Sequence, residues 1–360
     1  MNRVYNFSAG PSAMPEEVLK KAASELVCYG DSGMSVMEMS HRSKDYEPII
    51  FGVRDHLRKV MSIPDNYKIL FLQGGATMQF SQVPMNLIGK TGKADYAITG
   101  NFSNNAYKAA LRFGTINIAA TSKETNFSYI PQQDQLILAP DASYFHYCMN
   151  NTIYGSLWNY IPDTGDVPLV ADMSSCILSE PTDVSKFGII YAGAQKNMGP
   201  SGLTVVIVRD DLLGNTLESA PDLLNYEVLA KNDSMLNTPP CYGIYMLGLV
   251  LDWVDSMGGL SAMKEYNQKK CTPLYDYLNS TSFYKNGIEA PYRSMMNVTF
   301  QSPNEELDTK FVKEAKAAGF VNLKGPRLVG GMRASIYNAM PIEGVTKLVE
   351  FMKKFEAENK

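Results

Sequence analysis

Lys196 is the residue whose surroundings in this chain most clearly suggest covalent chemistry. It lies on a turn between Gly193 and Gly199, and that turn separates two apolar segments predicted as buried strands. Asp172 closes another apolar segment upstream. Pyridoxal phosphate (PLP) chemistry requires a lysine that forms a Schiff base and a carboxylate that keeps the pyridine nitrogen protonated. Taken alone, a surface lysine and a strand-end aspartate are the simpler interpretation of this pair.

A second chemical feature is the glycine pair Gly74 and Gly75, which follows an apolar segment and precedes a helical pattern. Glycines let the backbone approach a ligand closely, and the start of a helix offers N–H groups to an anion. The following residues, Ala76 and Thr77, therefore belong to a candidate phosphate site, although a strand–helix turn without a ligand explains the glycines equally well. The segment lacks the glycine patterns of a dinucleotide site and of a P-loop.

Two further side chains could contact a planar ligand. Phe102 lies just beyond a predicted strand, where α/β sheets bind ligands, and could stack on a ring. Thr152, in the polar segment 150–155, could hydrogen-bond a ring hydroxyl. A core phenylalanine and a turn-capping threonine are the alternative interpretations.

Anionic groups of a substrate would require basic side chains. His41 and Arg42 are adjacent and form a donor pair suited to phosphate. Arg333 follows Gly330 and Gly331, which leave space for a guanidinium that binds a carboxylate through two hydrogen bonds. Each of these basic residues, taken alone, is equally well explained as an exposed side chain.

The composition excludes several classes of protein. A length of 360 residues suggests roughly two domains, and 45% hydrophobic with 19% charged residues is typical of a globular protein with a sizeable core. The net charge of −4 and the absence of a long Lys/Arg block give no indication of a nucleic-acid partner. Three histidines are too few for a convincing metal cluster, so no metal site is predicted.

Cysteine usage and hydropathy predict a cytoplasmic protein. The five cysteines are dispersed without a Cys-x-x-Cys pair, which is typical of a reduced compartment. The N-terminus lacks the apolar core of a signal peptide. The most apolar late stretch, residues 242–254, is shorter than the ~18 residues of a membrane span and contains Asp252, so a buried helix is expected and no membrane partner.

Short apolar segments alternate with longer amphipathic ones through the first two thirds of the chain. Strands are predicted at residues 68–72, 95–99, 117–120, 135–139, 168–171, 188–191 and 202–208, and helices at 16–28, 48–61, 78–88 and 104–113. This alternation predicts an α/β fold with a mostly parallel central sheet whose strands are covered on both faces.

The pattern changes after about residue 255, where Gly258 and Gly259 interrupt the chain. A helix at 260–278, strands at 296–300 and 332–336, and helices at 308–318 and 342–356 predict a smaller α+β domain. We therefore expect a large domain over residues 15–255 and a small domain over residues 256–360 that includes the N-terminal segment 1–14.

Taken together, these segments resemble one family over essentially the whole chain. The chain resembles the phosphoserine aminotransferases, class V aminotransferases that use PLP and share the aspartate aminotransferase fold, PLP-dependent transferase fold type I. The resemblance is carried by residues 6–11, 39–43, 74–76, 84–87, 151–155, 171–175, 193–197, 237–240 and 330–335.

The resemblance implies roles for individual residues. Lys196 would bind PLP as a Schiff base, one PLP per subunit, Asp172 would face the pyridine nitrogen, and Phe102 and Thr152 would contact the ring and its hydroxyl. The cofactor phosphate would be bound by Gly75, Ala76, Thr77 and Gln195 and, from the second subunit of a homodimer, by Asn237 and Thr238. The substrate would be bound by Ser8, His41, Arg42, Arg327 and Arg333.

Three positions depart from the usual family pattern. Phe102 stands where the family usually has tryptophan, so stacking on the ring is expected with a smaller face. Pro326 precedes Arg327 where a His-Arg pair is frequent, which removes one donor from the phosphate site. Cys176 occupies a position that is commonly acidic, and little consequence is expected from it.

The reaction that the resemblance implies is reversible amino transfer between glutamate and 3-phosphohydroxypyruvate, giving O-phosphoserine and 2-oxoglutarate in serine biosynthesis. Activity on 4-phosphohydroxythreonine in pyridoxine biosynthesis is a further expectation. The alternatives are another class V enzyme, such as an alanine–glyoxylate aminotransferase or a cysteine desulfurase, and a non-catalytic protein that keeps the fold. A nicotinamide dehydrogenase is disfavoured because the glycine fingerprint is missing.

Overall fold

Strands and helices alternate through the first two thirds of the chain in the computed structural model, which describes residues 3–360. The strands are β1 (Tyr5–Asn6), β2 (Tyr67–Leu72), β3 (Lys93–Ile98), β4 (Thr115–Thr121), β5 (Phe145–Cys148), β6 (Asn150–Asn151), β7 (Ser156–Leu157), β8 (Leu169–Asp172), β9 (Ile189–Gly193), β10 (Thr204–Arg209), β11 (Asn297–Phe300), β12 (Phe320–Val321) and β13 (Met332–Ser335).

The α-helices surround these strands and connect them. They are α1 (Glu16–Ser24), α2 (Glu47–Val60), α3 (Gly75–Leu87), α4 (Asn101–Ala110), α5 (Tyr226–Lys231), α6 (Cys241–Ser256), α7 (Gly259–Ser280), α8 (Glu305–Ala317) and α9 (Ile342–Asn359). The buried helix predicted for residues 242–254 is confirmed as the central part of α6.

The central sheet has seven strands in the order β2-β10-β9-β8-β5-β3-β4. β10 is antiparallel to both of its neighbours, whereas the pairs from β9 through β8, β5 and β3 to β4 are parallel. The predicted α/β fold with a mostly parallel sheet is therefore confirmed. Because ligands bind beyond the carboxyl ends of parallel strands, the ends of β3, β5 and β8 indicate where a site would form.

Helices cover both faces of this sheet, and the side chains of β10 show the two layers. Val205 and Ile207 belong to a hydrophobic core that includes α1, α2 and α6. Val206 and Val208 belong to a second core that includes α3, α4 and α5. Each of these valines and isoleucines is almost completely buried. The continuous apolar sequence of β10 therefore reflects burial on both faces, as predicted.

The C-terminal third builds a separate hydrophobic core around the antiparallel pair β11 and β13. Phe7 from the N-terminal segment joins this core, and β1 pairs in parallel with β12. Helix α7 contributes Leu260 and Met263 to the core on the large-sheet side and Leu274 to the C-terminal core. The division into domains at residue 255 stays a prediction, and these separate cores support it.

One predicted strand is wrong, and one strand of the central sheet was missed, as were the two-residue strands β1, β6, β7 and β12. Residues 135–139 form no strand, because Ile137 N–H bonds to β4 but Ala139 N–H donates to the Asp95 side chain instead of continuing a ladder. The strand that lies beside β3 is β5, which contains His146 between two aromatic residues. An aromatic strand with a histidine lacks the aliphatic pattern used to predict the others.

Several helix boundaries also differ from the prediction. Helix α1 ends at Ser24 rather than at residue 28, and α3 begins at Gly75, three residues before the predicted start. Helix α4 begins at Asn101, which brings Phe102 into its first turn. Within the part of the chain that the structure describes, no helix combines the length and apolar character that crossing a bilayer requires.

Candidate active site

A cavity of about 380 Å³ opens at the carboxyl ends of the parallel strands, a position and a volume that suit a small ligand. The cavity brings together residues from six separate stretches of the chain that the sequence singled out. Its lining includes Gly75, Ala76, Thr77, Phe102, Thr152, Asp172, Gln195, Lys196 and Arg333.

Lys196 lies on the turn between β9 and β10, as the sequence predicted. The N-terminal segment fixes this turn, because Ser12 N–H donates to the Gln195 carbonyl at 2.9 Å and Ser12 Oγ donates to the Lys196 carbonyl at 2.6 Å. Lys196 Nζ donates to Thr152 Oγ1 at 2.9 Å. The amine is thus directed into the cavity by a specific partner.

Asp172 is the last residue of β8 and is buried beside the cavity. Burial raises the pKa of its carboxyl above the ordinary value, while hydrogen bonding from Ser174 and the positive charge of Lys196 act in the opposite direction. The Ser174 N–H donates to Asp172 Oδ1 at 2.9 Å. A buried carboxylate with a raised pKa favours a ligand that brings a positive charge to it.

The first turn of α3 forms another wall of the cavity. Gly74 and Gly75 have φ angles of 89° and 65°, which are left-handed values that glycine adopts without strain. The ladder of the helix begins with Met78 N–H bonding to the Gly74 carbonyl at 3.3 Å. The N–H groups of Gly75, Ala76 and Thr77 precede that bond and are the unpaired donors of a helix start, which can bind an anion.

Aromatic and polar residues complete the wall near Lys196. The Phe102 ring lies with its centroid 5.6 Å from Lys196 Nζ. Thr152 is buried and follows the short hairpin strand β6. A planar ligand bound to Lys196 would therefore have an aromatic face and a hydroxyl group within reach.

Arg333 projects from β13 of the C-terminal core into the same cavity. Its Nη1 donates to the Thr152 carbonyl at 3.3 Å, and burial lowers the pKa of the guanidinium. Its Nε is buried and has no hydrogen-bond partner among residues 3–360. A buried donor without a partner is costly, so this group favours an anionic ligand.

The chain matches the aminotransferase class-V family over residues 4–348. It is 51% identical over 360 residues to the phosphoserine aminotransferase of Bacillus cereus, with 100% of both chains covered. The chain belongs to the phosphoserine aminotransferases. Solved structures agree: the phosphoserine aminotransferase of Bacillus circulans subsp. alkalophilus superimposes with a TM-score of 0.98, at 46% identity and 99% coverage of both chains.

PLP is the cofactor of the phosphoserine aminotransferases, and the residues of the cavity fit it. The PLP-bound phosphoserine aminotransferase of Trichomonas vaginalis superimposes with a TM-score of 0.94 at 40% identity, covering 98% of this chain and 100% of that one. In the present chain, Lys196 could supply the amine, Asp172 a buried carboxylate, and α3 the N–H groups at its start. These are the three groups that the Schiff base, the ring nitrogen and the phosphate require.

Six residues predicted for the site lie outside the cavity lining of the single chain. Ser8 immediately precedes Ala9, which does line the cavity. Arg327 lines a neighbouring cavity of about 320 Å³ that shares Pro326 with the first. The other four, of which His41 is half-buried and the rest are exposed, are His41, Arg42, Asn237 and Thr238.

Sequence reasoning assigned no role to several residues that line the cavity. Ser174 and Ser175 follow Asp172, and the Ser174 Oγ also accepts a hydrogen bond from Gly193 N–H at 3.1 Å. Gly10 has a φ of 139°, and a Cβ there would lie 3.4 Å from Lys196 Cγ. Both segments carried the family resemblance, which was the available signal, but the contact between Gly10 and Lys196 depends on the tertiary fold.

Proposed function

We propose that the chain catalyses reversible amino transfer between glutamate and 3-phosphohydroxypyruvate, giving O-phosphoserine and 2-oxoglutarate. The observation that carries this proposal is the single cavity that assembles Lys196, Asp172 and Arg333 in a member of the phosphoserine aminotransferases. When bound, PLP supplies an electron-poor ring that accepts the electron pair released at the substrate Cα.

Lys196 has two tasks in this proposal. Its amine would hold the cofactor covalently, and the same amine, once free, would act as the base that accepts the proton from the substrate Cα. The hydrogen bond of 2.9 Å from Nζ to Thr152 Oγ1 supports both tasks, since it places the amine inside the cavity. The half-buried position of Lys196 limits the access of water to the amine.

Asp172 maintains a positive charge at the ring nitrogen. Its carboxyl group is buried, and burial raises its pKa, so an adjacent cation is the interaction that keeps the carboxylate ionised. The hydrogen bond from Ser174 N–H orients one carboxylate oxygen. The other oxygen remains for the ring nitrogen.

Arg333 binds the α-carboxylate that both substrates share, with Ser8 assisting. The guanidinium already uses Nη1 on the Thr152 carbonyl, and its buried Nε lacks a partner among the described residues. A carboxylate would satisfy that donor through a charge-assisted hydrogen bond. Thr152 therefore contacts both groups, because its carbonyl accepts a hydrogen bond from Arg333 and its hydroxyl accepts one from the Lys196 amine.

The phosphate of the substrate is recognised by residues at a subunit boundary. We infer a homodimer in which His41 and Arg42 of the second subunit, with Arg327, bind the substrate phosphate, while Asn237 and Thr238 reach the cofactor phosphate. Arg42, Asn237, Thr238 and Arg327 are exposed, and neither they nor the half-buried His41 line the cavity of the single chain, which supports this arrangement. Guanidinium groups bind phosphate and carboxylate alike, so the same site accepts the glutamate side chain.

The proposal extends to location and to a second substrate. We infer a cytoplasmic enzyme with small-molecule substrates and neither nucleic-acid nor membrane partners, in agreement with five cysteines that include no disulfide pair among the described residues. 4-Phosphohydroxythreonine shares the phosphate and the α-amino acid end of O-phosphoserine, so we expect it to be a slower substrate of the same site.

The experiment that tests the proposal compares two pairs of substrates. Purified protein with PLP is given glutamate with 3-phosphohydroxypyruvate, and separately alanine with glyoxylate, while product amino acid is measured. We expect turnover of the phosphorylated pair to exceed that of the other pair by at least about 100-fold, the range that a site built for charged hydrogen bonds achieves. Comparable turnover of both pairs would contradict the proposal.

A further inference from the structure

A buried polar cluster lies behind the active site, where the segment after β13 meets the turn that carries Lys196. The segment is Tyr337 and Asn338, four and five residues beyond Arg333 in sequence, and both side chains are almost completely buried. Neither residue lines the cavity or has a role in the proposed reaction. The hydrogen bonds of the cluster connect the strand that carries Arg333 to the turn that carries Lys196 and to the turn after Asp172.

Asn338 makes the first connection, to the neighbour of Lys196. The Asn338 N–H donates to Asn197 Oδ1 at 3.0 Å, and Asn197 Nδ2 donates to the Ile177 carbonyl at 3.0 Å. The Asn338 side chain makes the second connection, because its Nδ2 donates to the Leu178 carbonyl at 2.8 Å. Residues 177 and 178 belong to the turn that follows Asp172.

Helix α7 makes the third connection. Asn267 Nδ2 donates to Asn338 Oδ1 at 2.9 Å and to the Ser179 carbonyl at 3.0 Å. Lys270 Nζ donates to the Tyr337 carbonyl at 2.7 Å and lies 3.4 Å from the Asn338 carbonyl. Both donors are completely buried, so these carbonyl and amide acceptors are what compensate their removal from water.

The N-terminal segment is connected as well. Tyr337 Oη donates to the Ala9 carbonyl at 2.8 Å, and Ala9 lines the cavity beside Gly10. Asn297 of β11 donates from Nδ2 to Ser335 Oγ at 3.0 Å, which fixes the end of β13. The end of the strand that carries Arg333 is thus attached to the turn that carries Lys196, to the turn after Asp172 and to the N-terminal segment.

We propose that Asn338 is a positioning residue that sets the distance between the Arg333 guanidinium and the Lys196 amine through its hydrogen bonds to Asn197 and Leu178. This inference rests on the proposed function, in which Arg333 binds the α-carboxylate of both substrates. A displacement of the β13 end moves the carboxylate relative to Lys196, and misplacement on the scale of 1 Å reduces rates steeply. Asn338 itself contacts neither substrate nor cofactor.

The test removes the Nδ2 donor of Asn338 while the size and shape of the side chain are kept. Asn338→Asp retains the acceptor for Asn267 but places an oxygen opposite the Leu178 carbonyl, so the two oxygens repel each other. The holo-protein is titrated with α-methyl-L-glutamate, which carries the α-carboxylate and has no Cα proton to lose, while the visible absorption of bound PLP is recorded. We expect its Kd to rise about tenfold.

Steady-state kinetics provide the second readout. Because glutamate and O-phosphoserine share the α-carboxylate, both KM values should rise by the same factor of about ten, with a smaller decrease in kcat. Asn86→Asp is the matched control, because Asn86 is equally buried and its Nδ2 donates to the Gln82 and Leu224 carbonyls, away from the cavity lining. The control should lose thermal stability while its Kd and KM values remain those of the wild type.

The outcomes separate the inference from the proposed function. If Asn338→Asp and Asn86→Asp show the same loss of Tm and neither changes the Kd for α-methyl-L-glutamate, Asn338 is merely structural and the inference is wrong. If the wild-type spectrum itself does not respond, the proposed function fails instead. Should Asn338→Asp not fold, Asn338→Ala removes the Nδ2 donor to the Leu178 carbonyl without adding a charge, and an unchanged Kd would equally overturn the inference.

Discussion

Lys196 Nζ donates a hydrogen bond of 2.9 Å to Thr152 Oγ1. The backbone carbonyl of the same threonine accepts a hydrogen bond from Arg333 Nη1 at 3.3 Å. One buried residue therefore connects the amine that would bind the cofactor to the guanidinium that would bind the substrate, although the two lie on different hydrophobic cores of the chain. This connection explains how two cores can form one reaction site.

Lys196→Ala should eliminate amino transfer and leave the fold intact. The variant loses both the covalent attachment of PLP and the base at the substrate Cα, and a positioned base alone contributes about 10²–10⁴-fold. We expect kcat to fall by at least about 10⁴-fold, with an unchanged far-UV circular dichroism spectrum. Lys186→Ala, at an exposed lysine on the short 3-10 turn before β9, serves as the control. Turnover near the wild-type rate would refute the role of Lys196.

Asp172→Asn should stabilise the PLP-free protein by an amount that depends on pH. Burial raises the pKa of Asp172, so the folded state binds this proton more tightly than the unfolded chain does. The contribution of Asp172 to the free energy of unfolding is therefore greatest at low pH, and it decreases as pH rises from about 4 through the raised pKa. At pH 8 the buried, charged carboxylate lowers the free energy of unfolding, and the neutral amide of the variant does not.

We expect the PLP-free Asp172→Asn protein to melt at a higher temperature than the PLP-free wild type at pH 8, and we expect the difference to shrink toward about pH 4. With PLP bound the order should reverse, because the amide does not stabilise a protonated ring nitrogen. Calorimetry at the two pH values, with and without PLP, measures both differences. A PLP-free variant that is less stable than wild type at pH 8 would show that other groups of the protein already stabilise the buried Asp172 carboxylate, and would contradict the prediction.

Arg333→Lys should weaken both substrates by the same factor. Lysine keeps the positive charge but loses the planar guanidinium, including the Nε that is buried without a partner among residues 3–360. Loss of a charged hydrogen bond costs about 1.5–3 kcal/mol, which corresponds to about 10- to 100-fold in KM. Steady-state kinetics with glutamate and with O-phosphoserine measure this change in KM. A change confined to O-phosphoserine would mean that Arg333 binds the phosphate instead.

Arg42→Ala should discriminate between the substrates. If Arg42 binds the substrate phosphate, its removal raises KM for O-phosphoserine by about 10- to 100-fold and KM for glutamate much less. Arg112→Ala, at an exposed arginine on the turn after α4, is the matched control and should change neither value. An equal loss for both substrates would assign Arg42 a structural role.

The core of the site could be predicted because its residues lie next to local sequence patterns. Lys196 lies on a turn marked by glycines between two apolar strands, and Asp172 ends a third strand, so both were identified from short stretches. The helix at Gly75 was expected as well, although its start was placed three residues too late. The left-handed conformation of Gly74 that begins the helix is a backbone property that hydrophobic periodicity does not report.

Other features depend on contacts between distant segments and carry little local signal. β5 was missed because His146 lies within it, and that histidine is tolerated in the core by stacking on Tyr96 and by a hydrogen bond of 2.9 Å between Nε2 and Tyr191 Oη. Asn338 appears as an ordinary polar residue after a strand. Its hydrogen bonds to Asn197 and Leu178 exist only when the C-terminal core packs against the turn that carries Lys196.

The most direct test of amino transfer to a phosphorylated substrate is the visible absorption of the PLP-bound protein during parallel titrations with O-phosphoserine and serine. We predict that O-phosphoserine removes the absorption of the resting cofactor at concentrations at which serine has no effect. Such a result would demonstrate the cofactor, the amino transfer and the recognition of phosphate in one experiment. An absorption that responds equally to both amino acids, or to neither, would contradict the assignment of O-phosphoserine as the substrate.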